Sequence, residues 1–346
     1  MNWTQKLLQW YGENQRSFVW RETREPYKIW LSEVILQQTR TAQGLPYYER
    51  FIAAFPTIEA LATASEDEVL KLWQGLGYYS RARNLHFTAQ HIHTELKGEF
   101  PNTFDALLQL KGVGDYTASA IASICFDQPQ AVVDGNVYRF LARSFGMRTP
   151  INSHSAIKEF KKKASELMGK SHPGTFNQAM MEFGALHCTP KQPKCSSCPF
   201  AQECFAFNHN QTDQLPVKTS QIKIKKRFFN YLVVRDQNDQ YLFEKRTQKG
   251  IWHNLYQFPL VESTAVLKSA RALRTHPDFP KDLKEENLPL QQWNKEPILH
   301  KLSHQSLSVH FWIIESKRDL NNAFSKSTIQ SLAVPVVIQN FIKKFF

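Results

Sequence analysis

The stretch FDALLQLKGVGDYTASAIASI, residues 104–124, places two apolar runs of helical spacing on either side of Gly112-Val113-Gly114. The spacing predicts two helices joined by a short turn. A Gly-x-Gly between helices is compatible with an ordinary tight turn. It is also compatible with an anion cradle. Without Cβ atoms the backbone can approach a phosphate closely and aim its amides at it, beside a helix N-terminus whose dipole favours negative charge. Lys111, Gly112, Val113 and Gly114 are therefore candidate phosphate contacts, and Asp115 is a candidate cap for the second helix.

Outward from this hairpin, residues 1–207 read as helices joined by short turns. Apolar residues recur at helical spacing in NWTQKLLQWYGEN (2–14), PYKIWLSEVILQQ (26–38), SEDEVLKLWQGL (65–76) and TASAIASICF (117–126). The segment 208–226, NHNQTDQLPVKTSQIKIKK, is polar and then basic without a period, and is expected to be a linker. The texture then changes. FFNYLVVRD (228–236) and QYLFEKR (240–246) flank Gln237-Asn238-Asp239 and predict a β-hairpin, and LSVHFWIIES (307–316) predicts a further strand. The expected fold is multidomain: an all-α domain over 1–207 and a smaller α/β domain over 227–346.

The 346 residues carry a formal charge of +12. Such an excess suits a polyanionic partner, because neutralisation of phosphates by Lys and Arg dominates nucleic-acid affinity. No apolar run is long enough to cross a bilayer, and the first twenty residues lack a signal-peptide core, so no membrane association is expected. The expected setting is cytoplasmic, at the nucleoid in a bacterium. In such a compartment clustered cysteines bind metal more often than they pair. Four of the five cysteines fall within GALHCTPKQPKCSSCPFAQEC (184–204). Cys188, Cys195, Cys198 and Cys204 are separated by six, two and five residues. Spacing alone fits either tetrahedral zinc or a [4Fe–4S] cluster.

Two carboxylates stand out. Glu33 sits in the middle of a helix that is apolar nearly all round, with Ile29, Trp30 and Leu36 beside it. Burial there would raise its pKa and let it act as an acid near neutral pH. Asp134, in AVVDGNVYRFLARSFG, is a good N-cap for the helix that follows, and a capping carboxylate can stay ionised and face a ligand.

These motifs, in this order, resemble one family. The cysteine spacing and the hairpin are similar to those of the endonuclease III superfamily of helix–hairpin–helix DNA repair glycosylases. SEVILQQT (32–39) and VVDGNVYR (132–139) resemble the two catalytic signatures of its adenine DNA glycosylases, which excise adenine mispaired with 8-oxoguanine or guanine in duplex DNA. The resemblance implies a [4Fe–4S] cluster on Cys188, Cys195, Cys198 and Cys204. It also implies that Glu33 protonates the flipped adenine at N7 and that Asp134 stabilises the oxocarbenium-like sugar. Tyr116 stands where the bifunctional branch carries a Schiff-base lysine, which implies a monofunctional hydrolase. The competing expectation is an endonuclease III-like pyrimidine-damage glycosylase with lyase activity. Asn136 would hydrogen-bond around the same site.

By the same resemblance, Arg16 and Arg21 lie near the active site and DNA backbone, and Gln38 fills space by the vacated base. Leu76 and Tyr78, in WQGLGYYSRARN (73–84), approach the opposite 8-oxoguanine. The C-terminal domain is similar to the family's Nudix-like domain, with Ser303 and His304 in HKLSHQSL (300–307) at the damaged base. STAVLKSARALRTHPDF (263–279) lacks the carboxylate-rich metal box of nucleotide pyrophosphatases, so that activity is not expected. The chain is expected to act as a monomer.

Overall fold

The computed structural model describes residues 1–169, 172–219, 224–267 and 269–346. The chain forms two compact units. One comprises Met1–Ala64 with Asn84–Ser220, the other Ser65–Arg83 with Gln221–Phe346.

The first unit is helical, and local chemistry sets its helix ends. Asn2 and Gln5 form a capping box at the start of Trp3–Asn14, Pro26 occupies the first turn of Pro26–Leu36, and Thr103 accepts from the amide of Ala106 to start Phe104–Leu108. Its core is aromatic. Trp10, Phe140, Phe160, Phe176, Phe183 and Phe200 are buried together, and the rings of Phe140 and Phe183 stack at 4.3 Å. That contact ties the helix Gly135–Phe145 to the helix Pro173–Leu186. Each fully buried side chain of this size removes enough apolar area from water to be worth roughly 2–3 kcal/mol. Gly184 permits the close approach of these two helices: a Cβ there would lie 2.7 Å from both the Cβ and the carbonyl oxygen of Asn136.

The segment expected as a linker begins inside this unit. Leu215 is buried in the first core, Ile151 donates its amide to Val217 O at 3.0 Å, and Arg143 Nε donates to Thr212 O and Leu215 O. Residues 208–219 therefore pack on the helices. Residues 220–223 of the expected linker lie outside the described residues.

The second unit is built on a mixed sheet. Lys225–Arg235 and Gln305–Glu315 pair in parallel along their full length, from Lys225↔Gln305 to Arg235↔Glu315. Leu260–Ser263 joins the first of these antiparallel, and Ile298–Lys301 and Gln291–Gln292 join the second. Phe229–Val234 are buried without interruption, as a central strand covered on both faces requires. The expected hairpin is present but short. Arg235 pairs with Tyr241, and the turn is held by Asp236, whose Oδ1 accepts from the amides of Asn238 and Gln240.

Residues 65–83, which their sequence placed with the helical domain, group with the sheet instead. The reason is specific bonding. Lys71 Nζ donates to Gln330 O and Leu332 O at 2.7 and 2.9 Å, Lys245 pairs with Asp67 at 2.6 Å, and Val334 N donates to Gln74 Oε1 at 3.0 Å. No described helix is long and apolar enough to cross a membrane.

Candidate active site

Within the first unit, Glu33, Tyr116, Asp134 and Asn136 line one cavity of about 190 Å³, together with Arg16, Arg21, Gln178, Met181 and Glu182. The helix Pro26–Leu36 buries seven apolar or hydroxyl side chains around Glu33, so the carboxyl has almost no water. Only 9% of Glu33 is exposed. Burial pushes its pKa up to about 7, a hydrogen bond from the Tyr116 hydroxyl and the charge of Arg21 work against that rise, and nearby Asp134 adds to it. Glu33 thus holds an exchangeable proton at neutral pH inside a cavity. Tyr116, whose own pKa is raised well above the usual phenol range by burial and by the adjoining carboxylates, stays a neutral phenol that can donate or accept, and its hydroxyl also reaches Met181 Sδ at 3.3 Å.

Asp134 caps the helix Gly135–Phe145. Its Oδ1 accepts from the amides of Asn136 (2.9 Å) and Val137 (2.8 Å), and its Oδ2 from Asn136 Nδ2 (2.7 Å). Burial raises its pKa, against the pull of these three bonds and of Arg139. Asp134 therefore caps the helix, as expected, and also lines the cavity. Asn136 is locked in turn, since its Oδ1 accepts from Arg139 Nη2 at 2.9 Å.

Arg16 and Arg21 are not ordinary surface arginines. Glu182, 2% exposed, accepts four hydrogen bonds from them: Arg16 N (3.0 Å), Nε (2.8 Å) and Nη2 (2.8 Å), and Arg21 Nη2 (2.9 Å). Burial works to raise the pKa of Glu182, but these bonds outweigh it and hold the carboxyl at about 2. Glu182, Gln178 and Met181 were missed from the sequence. The available signal was Glu182 alone among apolar residues from Ala179 to Leu186, four positions after Gln178 on the same helix. Gln38 falls outside the cavity lining. It is exposed, with φ +56°, at the exit from the helix Pro26–Leu36.

Residues 31–166 match the HhH-GPD superfamily of base excision DNA repair proteins, and residues 230–344 match the NUDIX domain. Over 311 residues, 88% of this chain and 85% of its relative, the sequence is 35% identical to the adenine DNA glycosylase of Buchnera aphidicola subsp. Schizaphis graminum. The chain belongs to the adenine DNA glycosylase family. The corresponding protein of Buchnera aphidicola subsp. Baizongia pistaciae is 33% identical over 98% of this chain and 95% of its own length. A solved thermostable thymine-DNA glycosylase aligns with a TM-score of 0.56 at 28% identity, over 60% of this chain and 95% of its own. The protein is thus an enzyme of base excision repair, an adenine DNA glycosylase with a helical glycosylase domain and a Nudix-like domain.

In this glycosylase the hairpin is an exposed loop. Gly112 has φ +81°, a conformation that favours glycine, and a Cβ there would meet Asn84 Cβ at 2.7 Å. Gly112 and Gly114 are exposed, whereas Val113 is buried and donates its amide to Leu110 O at 3.1 Å. Val113 therefore anchors the loop, and the glycines face outward. Lys111 Nζ rests 4.0 Å above the Phe87 ring. The expected cap is corrected: Gly114, not Asp115, is the N-cap, and Asp115 is instead held by Lys161 Nζ at 3.0 and 2.8 Å.

Cys188, Cys195, Cys198 and Cys204 line a single cavity of the same unit. Burial pushes the Cys198 thiol up to about 12, and the other three cysteines add to that rise, so the four sulfurs lie within electrostatic reach of one another. Arg143 buttresses the loop, donating from Nη1 to Thr189 O (2.7 Å) and to Cys188 Sγ (3.6 Å). Among the described residues no three His, Cys, Asp or Glu side chains converge on a point that would hold a single metal ion. Four thiols lining one cavity are a donor set of the kind that holds an iron–sulfur cluster or a metal ion.

In the second unit, Leu76, Tyr78, Leu302, Ser303 and His304 line a cavity of about 530 Å³ with Trp252 and Arg83. Ser303 and His304 form the turn between Ile298–Lys301 and Gln305–Glu315, closed by Leu302 N donating to Gln305 O at 2.8 Å. The hydroxyls of Tyr78 and Ser303 are hydrogen-bonded to each other. Tyr78 is 48% exposed and has φ +47°, while Leu76 is only 7% exposed. Both side chains line the cavity, and Tyr78 is the more exposed of the two.

Proposed function

We propose that the enzyme hydrolyses the N-glycosidic bond of adenine paired with 8-oxoguanine or guanine in duplex DNA, and that Glu33 and Asp134 carry the reaction. The observation that supports this most is the shared cavity, in which one carboxyl is protonated near neutral pH and the other stays fixed by three hydrogen bonds. The target base leaves the stack and enters the cavity. Glu33 gives its proton to N7 of adenine, which makes the base a neutral leaving group. The C1′–N9 electron pair departs with the base. Asp134, as the anion, offsets the positive charge that develops on the deoxyribose, and water then adds at C1′ and loses a proton. Asn136 holds Asp134 in place, and Tyr116 orients Glu33 through their hydrogen bond. Tyr116 supplies no amine for Schiff-base chemistry, so base removal proceeds without strand cleavage.

Lys111, Gly112 and Gly114 grip the phosphate backbone without reading sequence, with Val113 as their buried anchor. Arg16 and Arg21 act at the cavity wall, where Glu182 fixes them, and Gln38 fills space beside it. In the second unit Tyr78, Ser303 and His304 contact the 8-oxoguanine, with Leu76 supporting the loop beneath Tyr78. Cys188, Cys195, Cys198 and Cys204 would hold a [4Fe–4S] cluster, which would cross-link the loop through four iron–thiolate bonds. The enzyme acts as a monomer on DNA, in a bacterium at the cytoplasmic nucleoid. Base release from duplexes carrying adenine opposite 8-oxoguanine, adenine opposite guanine, and thymine glycol tests the substrate. Adenine is released from the first fastest, from the second more slowly, and thymine glycol is left intact. Release of thymine glycol with strand cleavage, and no release of adenine, would overturn the proposal.

A further inference from the structure

The chemistry proposed above needs Glu33 protonated at neutral pH, yet two guanidinium groups, Arg16 and Arg21, line the same cavity. Uncompensated cations beside a carboxyl favour its ionised form and would strip the donor of its proton. One buried anion answers both of them. Glu182 takes four hydrogen bonds from Arg16 and Arg21 and is ionised throughout the neutral range. Arg21 Nη1 also donates to Arg16 O at 2.8 Å, so the three residues form one closed network, nearly shielded from solvent on the Glu182 side. The wall of the cavity then carries a net charge of +1 from the three residues rather than +2.

We infer that Glu182 is a positioning residue for base excision: it fixes Arg16 and Arg21 at the cavity wall and offsets their charge, so that Glu33 keeps its proton until adenine arrives. This inference rests on the assignment of Glu33 as proton donor. The groups that act on Glu33 come from three elements. Tyr116 and Cys125 lie on the helix Asp115–Phe126, Asp134 precedes the helix Gly135–Phe145, and Arg21 precedes the helix Pro26–Leu36. Arg21 is the cation among them, and it is the one that Glu182 binds. Tyr11 is the remaining titratable neighbour of Glu182, and its phenol stays neutral because burial raises it.

The test is the pH dependence of single-turnover adenine release from a duplex with adenine opposite 8-oxoguanine, measured on the full chain. Wild type, Glu182→Gln, Arg21→Met, the Glu182→Gln/Arg21→Met double variant and Glu33→Gln are compared, each with its circular dichroism spectrum. In wild type the rate falls as pH rises through the ionisation of Glu33. In Glu182→Gln this alkaline limb moves down by about one pH unit, lowering the rate at pH 7.5 roughly tenfold and the rate at pH 5.5 far less. In Arg21→Met the limb moves up, and the double variant returns towards wild type. A folded Glu182→Gln whose rate falls by the same factor at every pH overturns the inference, because a purely structural role predicts that result. If Glu182→Gln does not fold, Arg21→Met decides, and an unmoved limb overturns the inference. Retention of activity by Glu33→Gln, or no alkaline limb in wild type, instead breaks the assignment of the proton donor and the inference with it.

Discussion

Gly184→Ala probes how tightly the site depends on helix packing. Gly184 is buried on the helix Pro173–Leu186, facing the first turn of the helix that Asp134 caps. An added Cβ would stand 2.7 Å from Asn136 Cβ, 2.7 Å from its carbonyl oxygen and 2.9 Å from its carbonyl carbon. Carbon atoms in contact prefer about 3.5–4.0 Å, so one helix must retreat by roughly 1 Å. Two of the three atoms met are backbone, so no rotamer change relieves the clash. Overpacking of this kind costs about 1–3 kcal/mol, which in a chain of this size lowers the melting temperature by several degrees. The displaced residue is the one that donates twice to Asp134, at 2.9 and 2.7 Å. A shift of about 1 Å at a reacting centre can cost a hundredfold in rate. Gly12→Ala is the control, because a Cβ at Gly12 meets nothing within 4 Å and alanine favours the helix. Thermal unfolding and single-turnover adenine release read both effects. If Gly184→Ala melts and turns over like wild type, the close approach of these helices does not position the carboxylate.

Glu33→Gln should be severely slowed yet more stable than wild type at pH 8. Folding raises the Glu33 pKa from 4.5 to about 7, so the native state binds the extra proton between those values and loses stability as pH rises across that window. The gain in Glu33→Gln is up to about 3 kcal/mol at pH 8 and vanishes by pH 4, and equal melting temperatures at both pH values would contradict it. Lys161→Met would leave the Asp115 carboxylate unmasked beside the hairpin, weakening binding to undamaged duplex by about 1 kcal/mol in a salt-sensitive way. Unchanged affinity at low salt would count against the hairpin as the phosphate grip. Cys198→Ser should lose iron and the visible absorption of a cluster, while zinc found in the wild-type protein would replace the iron–sulfur assignment. Borohydride trapping on abasic duplex should give little cross-link, and efficient cross-linking would restore a lyase mechanism.

What could be read from the chain divides by range. Glu33 was legible because its own helix is apolar nearly all round, and Asp134 because an N-cap is a local pattern. The hairpin glycines were likewise legible, since φ +81° at Gly112 is a requirement of one residue. Glu182 was not, because its partners lie more than 160 positions away, and no periodicity reports a bond between the chain's start and a helix near its middle. Asp115 failed as a cap for the same reason: Lys161 claims it from a distant helix. The second unit shows this most plainly. The local hairpin at Arg235↔Tyr241 was visible and is minor, whereas the dominant parallel pairing joins strands eighty residues apart. Residues 65–83 read as one more helix of the first domain, and only the carbonyls of Gln330 and Leu332 reveal where Lys71 is held.

Single-turnover release of adenine opposite 8-oxoguanine by folded Glu33→Gln, at pH 6 beside wild type, decides whether this carboxyl is the proton donor. A side chain that cannot give up a proton should slow release by about 10²–10⁴-fold while leaving duplex binding intact. Release at the wild-type rate would mean that adenine departs without help from this buried acid and that the cavity is not where its proton comes from.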